Sequence, residues 1–242
     1  MTLDAPGARA ISADMTFEER YGGGRALVFG GSGGIGGALV DRLNRCMAVE
    51  TLSRSHNGLD VTVEESVANW AGKLTPGYSV IFDATGALEI DGYAPEKSIA
   101  AIEPEGMAAQ FALNALGPAL LLKHFVPLLA EDGPVLFASL SARVGSIGDN
   151  KIGGWISYRA AKAALNQVMH TAAIEIGRKR KEAVVVALHP GTVESDLTRK
   201  YLARHKSVTP AEAAENLVTV MGRLTPEQTG GFFDWAGERV EW

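Results

Sequence analysis

Tyr158 stands four residues before Lys162 in the run Ser157-Tyr158-Arg159-Ala160-Ala161-Lys162. On a helix, residues four apart share a face, so the ammonium would lie beside the phenol. A nearby cation favours phenolate and lowers a phenol's pKa from its usual value of about 10. Such a tyrosine could give and take a proton near neutral pH. Tyr93 and Lys97 have the same spacing, so spacing alone does not identify a site. Pro95 falls between them, where it disfavours helical geometry at Ala94 and favours a helix that starts after Tyr93. No such break separates Tyr158 from Lys162, and residues 160–165 are strong helix formers. Tyr158 and Lys162 are therefore the expected reacting pair.

A second string with chemical potential is Gly30-Gly31-Ser32-Gly33-Gly34-Ile35-Gly36, which satisfies three patterns at once. Gly31, Gly33 and Gly36 give G-x-G-x-x-G, and Gly30, Gly34 and Gly36 give G-x-x-x-G-x-G. Gly30 to Gly34 also reads as a G-x-S-x-G elbow with Ser32 as nucleophile. That hydrolase reading needs an acid such as Asp149 and a base such as His189 or His205. An elbow normally follows a mid-sheet strand, however, and Ser32 follows the first recognisable one. Dinucleotide binding fits better: bare backbone at Gly30, Ser32, Gly33, Gly34, Ile35 and Gly36 would approach a phosphate at a helix N-terminus. At the end of the second strand an acid would hold the ribose 2′-hydroxyl of NAD, and a base the 2′-phosphate of NADP. The chain there reads Ser53-Arg54-Ser55, with Glu50 in mid-strand, which favours NADP over NAD.

These residues need elements to position them. From Arg25 onward, apolar strand candidates (26–29, 47–52, 79–82, 134–139, 183–188 and 231–235) alternate with helix candidates (35–44, 63–73, 103–129, 157–178 and 210–222). Runs such as Val184-Val185-Val186-Ala187-Leu188 suit a parallel sheet covered on both faces. The expected fold is α/β, a single doubly wound Rossmann-type domain over residues 25–242, with a parallel sheet of about seven strands. Residues 1–24 show no sustained periodicity and read as a poorly specified leader.

Composition narrows the partners. A net charge of −5 offers no general attraction to nucleic acid or an anionic membrane. The one basic run, Arg178-Lys179-Arg180-Lys181, suits the negative end of a helix. Cys46 is the single cysteine, so no intrachain disulfide can form, which fits a reducing compartment. The longest apolar stretch, 111–130, carries Asn114, Pro118, Lys123, His124 and Pro127 and does not read as a membrane span. Asp4, Arg9 and Asp14 interrupt any signal-peptide core, so a cytoplasmic location is expected.

Taken together, a glycine loop after the first strand, a serine after a mid-sheet strand and Tyr-x-x-x-Lys soon after it resemble the short-chain dehydrogenase/reductase family over residues 25–242. The strings from Ser141 to Ile147 and from His189 to Val193 are most similar to its branch of C-factor-type and sniffer-type carbonyl reductases. So is Gly230-Gly231-Phe232-Phe233-Asp234, with the closing Trp242. The resemblance implies loop glycines at Gly30, Gly34 and Gly36, an adenine-side acid at Asp60 with Val61, and a helix asparagine at Asn114. It further implies cofactor contacts at Ser53, Arg54, Ala84 and Gly86, and a nicotinamide-side turn at Pro190-Gly191 followed by Thr192 and Val193.

The chain departs from the family pattern at three places. Asn-Asn-Ala-Gly reads Asp83-Ala84-Thr85-Gly86, Phe29 replaces a threonine, and Ser-x-x-Gly spacing puts Ala142 where the catalytic serine belongs. Adjacent Ser141 is the expected serine, with Ser139, on the same strand face, in reserve.

The implied chemistry is NADP-dependent carbonyl reduction or its reverse. Hydride goes to the carbonyl carbon, Tyr158 gives the proton, Lys162 lowers the phenol's pKa and holds the ribose, and Ser141 bonds the carbonyl oxygen. Asn114 either anchors a water relay to Lys162 or is a polar residue tolerated in its helix. The alternative is a dinucleotide-binding signalling or regulatory protein with little turnover. Expected partners are a small carbonyl or alcohol substrate and a second copy in a homodimer or homotetramer, with no metal, nucleic acid or membrane. Residues 145–155 and 193–206, with Trp155, Leu197 and Tyr201, should form the mouth.

Overall fold

The apolar runs become strands and the amphipathic stretches helices. The computed structural model describes residues 14–194 and 207–242. In chain order the elements are α1 (Phe17–Tyr21), β1 (Arg25–Phe29), α2 (Gly34–Leu43), β2 (Ala48–Leu52), α3 (Arg54–Asn57), α4 (Glu64–Ala71) and β3 (Tyr78–Asp83). There follow α5 (Pro104–Phe111), α6 (Gly117–Phe125), β4 (Val135–Leu140), α7 (Ile156–Lys179), β5 (Ala183–His189), α8 (Pro210–Arg223) and β6 (Phe232–Asp234).

The strands form one parallel sheet in the order β2-β1-β3-β4-β5-β6. Its central strands are buried on both faces, which is why they read as continuous apolar runs. On one face Leu27, Ile81, Phe137 and Val185 pack with Leu121 and Phe125 of α6 and Leu165 and Met169 of α7. On the other, Val28, Phe82 and Leu136 pack with Phe17 of α1, Leu39 of α2 and Leu217 and Met221 of α8. Because β3 lies on the far side of β1 from β2, the strand order reverses between β1 and β3. Open α/β sheets bind ligands at such a point, outside the carboxyl ends of the strands.

Three expectations need correction. The sheet has six strands among the described residues, not about seven. After β2 the chain enters α3, turns at Gly58 (φ 72°), and closes a turn in which Asp60 Oδ1 accepts from Thr62 N and Oγ1. Nothing there pairs with β2, which stays at the edge. Second, part of the expected leader belongs to the fold. Thr16 and Glu19 cap α1 reciprocally, and Phe17 and Tyr21 are buried against α8 and the sheet; residues 1–13 lie outside the described residues.

Third, the helix expected over 103–129 is broken into α5, a π turn at Ala112–Leu116, α6 and a final 3₁₀ turn. Pro118 has no N–H for the carbonyl of Asn114, and its ring crowds that carbonyl, so the ladder widens there. By length and composition alone the run Pro104–Leu128 could cross a membrane. Here it packs against α4 and α7.

Candidate active site

The glycine loop leaves β1 with Gly30 at φ 74°, in left-handed geometry. Its amide donates to Leu52 O at 2.8 Å and its carbonyl accepts from Gly33 N at 3.0 Å. A Cβ on Gly30 would come within 2.8 Å of Ala84 O, one on Gly31 within 2.0 Å of Thr51 Oγ1, and one on Gly36 within 2.1 Å of Gly30 O. Glycine is thus required for the turn itself. Beyond it, Gly33 caps α2 without a side chain and Gly34 opens the helix, with Ser32, Gly33 and Gly34 exposed and Ile35 half-buried. Bare N–H groups at the start of a ten-residue helix form a cradle that fits a pyrophosphate.

The hydrolase alternative is not assembled. Ser32 follows β1 and His189 ends β5, three strands away, a span of roughly 14 Å at normal strand spacing. Asp149 is paired with Arg143 at 2.6 Å, and His189 Nδ1 is buried without a partner. His205 lies outside the described residues.

Beyond the end of β2, where the adenine side is expected, Ser53 caps α3 by accepting from His56 N at 3.2 Å, and exposed Arg54 opens that helix. Glu50 pairs with Arg25 at 2.7 Å, away from this corner. Hydrogen bonds from Thr62, helped by the charge of Arg54, hold the Asp60 carboxyl below its usual range. Val61 is buried where Gly117 leaves room for it. The loop edge thus offers one carboxylate and one guanidinium side by side.

At the carboxyl end of β3 lies Asp83-Ala84-Thr85-Gly86. Asp83 is fully buried, accepting from Ser139 Oγ at 2.6 Å and from Thr85 N and Oγ1 at 2.9 and 2.6 Å. Burial raises its pKa despite those bonds. Half-buried Ala84 donates its amide to Phe29 O. Gly86, at φ 129°, sits between two site residues: its Cβ would meet Asn114 Oδ1 at 2.7 Å and Lys162 Nζ at 3.4 Å. Asn114, in the widened π turn, is buried and donates to Ala87 O at 2.9 Å and Gln110 Oε1 at 2.7 Å, while accepting from Ala87 N at 3.3 Å. Both its amide donors are spent, so only a lone pair of Oδ1 is left for a water.

Tyr158 and Lys162 share one face of α7, with Lys162 Nζ 6.0 Å from the centre of the tyrosine ring. The expected lowering of the phenol's pKa does not appear. Burial pushes Tyr158 up to about 12. Burial likewise pushes the Lys162 amine down to about 8, against the opposing charge of Asp83. The cause is geometric: Lys162 Nζ donates to Leu140 O at 2.8 Å, at the end of β4, so the cation is held there.

Just beyond that carbonyl, Ser141 is buried and its hydroxyl donates to Asn166 Oδ1 at 2.6 Å. Ser139 is instead committed to Asp83 in the core. Ser141 therefore directly follows Leu140, whose carbonyl anchors Lys162, and Ala142 bears no hydroxyl. Asn166 was missed from sequence. It lies four residues after Lys162 and eight after Tyr158, and that helical stripe was its available signal.

On the far side of the cleft, Pro190 is buried and Gly191 (φ 83°) leaves a gap that a Cβ would close to 3.0 Å from Trp235 Cδ1. Half-buried Thr192 and buried Val193 follow, and Val193 bridges to Val208. Of the residues expected at the mouth, Trp155 meets the Tyr158 ring edge-on at 6.4 Å. Leu197 and Tyr201 lie outside the described residues.

Comparison with known proteins agrees with this fold. A family model described as enoyl-(acyl carrier protein) reductase matches residues 38–232. The chain is 34% identical over 189 residues to 1-hydroxy-2-glutathionyl-2-methyl-3-butene dehydrogenase of Rhodococcus sp. (strain AD45), covering 76% of this chain and 79% of that one. It is 33% identical over 137 residues to the C-signal of Myxococcus xanthus, covering 56% of this chain and 78% of that one. Among solved structures, the carbonyl reductase Sniffer of D. melanogaster superposes with a TM-score of 0.78 at 20% identity, over 91% of this chain and all of that one. An NADPH-bound carbonyl reductase from chicken fatty liver gives the same TM-score at 21% identity, over 94% and 98% of the two chains.

Proposed function

Because the chain belongs to the short-chain dehydrogenase/reductase family, whose members are NAD(P)-dependent oxidoreductases, we propose that it interconverts a small carbonyl compound and its alcohol, with NADP(H) as the favoured dinucleotide. One observation carries this reading. Tyr158, Lys162 and Asn166 form a stripe on α7, with Ser141 held on Asn166 and Gly86 wedged between Lys162 and Asn114.

When bound, the nicotinamide supplies or accepts the hydride. In reduction, Tyr158 gives its hydroxyl proton to the substrate oxygen. A phenol raised to about 12 is a fully protonated donor at neutral pH. Lys162, titrating at about 8, is still mostly charged there and places a cation 6.0 Å from the centre of the tyrosinate ring left behind. Ser141 rotates off Asn166 to donate to the same oxygen, stabilising the charge that develops on it. Asn114 holds the Gly86-Ala87 backbone that lines the cleft. Support for NADP(H) comes from exposed Arg54 at the end of β2 and from the NADPH carried by the chicken reductase.

Tyr158→Phe tests the reading against a panel of aldehydes, ketones and quinones. Turnover should fall by about 100- to 10,000-fold, with NADPH affinity kept. Wild-type turnover in the variant would refute the mechanism. A second reading, a dinucleotide-binding regulatory protein with little turnover, draws on the similarity to the C-signal and on Ala142 at the family's serine position. It requires NADPH binding by the wild type without reduction of any panel member.

A further inference from the structure

We propose that Glu96 is a positioning residue for Tyr158, acting as a detached cap on the first turn of α7. The inference rests on the reading of Tyr158 as proton donor. α7 starts without a cap of its own: the residue before it is Trp155, held at φ 53° and making no side-chain cap bond. Glu96, about sixty residues earlier in the chain, takes that place. Its carboxylate accepts from Ser157 N at 3.2 Å and from Ser157 Oγ, and its backbone carbonyl accepts from Trp155 N. Glu96 and Ser157 are both buried. Burial works against the Glu96 carboxylate, but the bonds from Ser157 hold its pKa below the usual range.

A carboxylate at a helix N-terminus satisfies orphan N–H groups and complements the helix dipole. Tyr158 is the third residue of α7, within the turn so fixed, whereas Lys162 is one turn further in. Loss of the clamp should therefore loosen Tyr158 while leaving Lys162 and the glycine loop in place. Fraying of one turn in a 24-residue helix is a local event that spares the global fold. The clamp also faces a small, partly open cavity lined by Tyr93, Glu103, Gln110 and Tyr158 as well as Glu96 and Ser157. Tyr158 already borders that space, and a frayed turn would expose more of its ring there.

The charged groups around Tyr158 are Arg159 and Lys162 on its own helix and Glu96 and Glu103 across the cavity. Arg159 is tied to Gly154 O, Val144 O and Gly153 O, so it holds the loop before α7 and not the phenol.

The test compares wild type, Glu96→Ala, Glu96→Gln, Ser157→Ala and Tyr158→Phe. Reduction of a fixed aromatic aldehyde, aliphatic ketone and ortho-quinone is measured, along with NADPH affinity and tyrosinate ultraviolet absorbance against pH. Glu96→Ala should lower kcat by about 10- to 100-fold, the scale of a misplacement of about 1 Å, with NADPH affinity within about twofold of wild type. Glu96→Gln, which keeps one acceptor for Ser157, should recover part of that loss. The Tyr158 ionisation, read as the difference from Tyr158→Phe, should move from about 12 down toward the free value of about 10 as water reaches the ring. If Glu96→Ala does not fold, Glu96→Gln and Ser157→Ala carry the same expectations in smaller degree. An unchanged kcat beside an inactive Tyr158→Phe overturns the clamp and leaves the reaction standing. Parallel losses of kcat and NADPH affinity overturn it as well, since they mark general damage. Should Tyr158→Phe stay active, or no carbonyl be reduced, the reaction fails and the tyrosinate titration alone decides the clamp: an unmoved ionisation overturns it.

Discussion

Lys162 is a buried ammonium with one hydrogen bond, to Leu140 O, and one carboxylate, Asp83, whose charge supports it. Its titration at about 8 puts a change of charge inside the working pH range. The proposed reduction needs the ammonium, which is present below that value and lost above it. Turnover should therefore fall as pH rises through about 8, while the phenol, raised to about 12, stays protonated throughout. Asp83→Asn removes the negative charge that opposes deprotonation of Lys162, so the limb should move to lower pH. A kcat profile of the two proteins checks this, and a limb that does not move assigns it to another group. The residue pair was legible in the sequence, but the direction of the tyrosine's shift was not. Tyr-x-x-x-Lys specifies a shared helical face and is silent about where the lysine's long side chain finds its acceptor. Ser141 over Ser139 is a similar case: both point to one side of the strand, and only the position of Asp83 decides which hydroxyl is already committed.

Among the elements, α1 carries the sharpest test. Phe17 is 2% exposed, and a Cβ on Gly222 of α8 would come within 2.5 Å of Phe17 N, so the two helices meet backbone to backbone. Phe17→Ala should cost about 3–5 kcal/mol in urea unfolding, the usual loss for a buried phenylalanine. A loss below about 1 kcal/mol would make α1 a detachable leader after all. Five residues hold too little periodicity to be seen as a helix, yet the capping pair Thr16 and Glu19 was in the sequence and marks the start. Long elements were legible because their burial is periodic: α2, α4, α7 and α8 begin and end within two residues of the expected bounds. The exceptions have two causes. The π turn at Asn114, the edge left open beside β2 and the Glu96–Ser157 clamp all depend on partners distant in the chain or on one proline, and local pattern does not encode distant partners.

At the scale of the whole molecule, the sheet order brings four stretches of chain to one rim. The glycine loop follows β1, Arg54 follows β2, the Asp83 to Gly86 turn ends and follows β3, and Pro190-Gly191 follows β5. A dinucleotide lying across that rim would run from the β2 side, where Arg54 stands, to the β5 side, where Gly191 leaves space beside Trp235. The adenine end is then the only part of the rim where NADP and NAD differ, by one phosphate on the ribose. A guanidinium binds phosphate through paired, charge-assisted hydrogen bonds, whereas it gains little from a hydroxyl. Arg54→Ala should therefore weaken NADPH by about 10- to 100-fold and NADH by much less, the range expected for losing bonds to a charged group. Because Arg54 is exposed, the contact is open to screening, so added salt should weaken NADPH more than NADH in the wild type and alike in the variant. Asp60 lies at the same corner and its charge favours the hydroxyl form of the ribose, so removing Arg54 should leave NADH the tighter ligand. Calorimetric titration of both dinucleotides into both proteins at two salt concentrations measures all three effects. Equal losses for NADPH and NADH would leave Arg54 a surface residue and make NAD the partner.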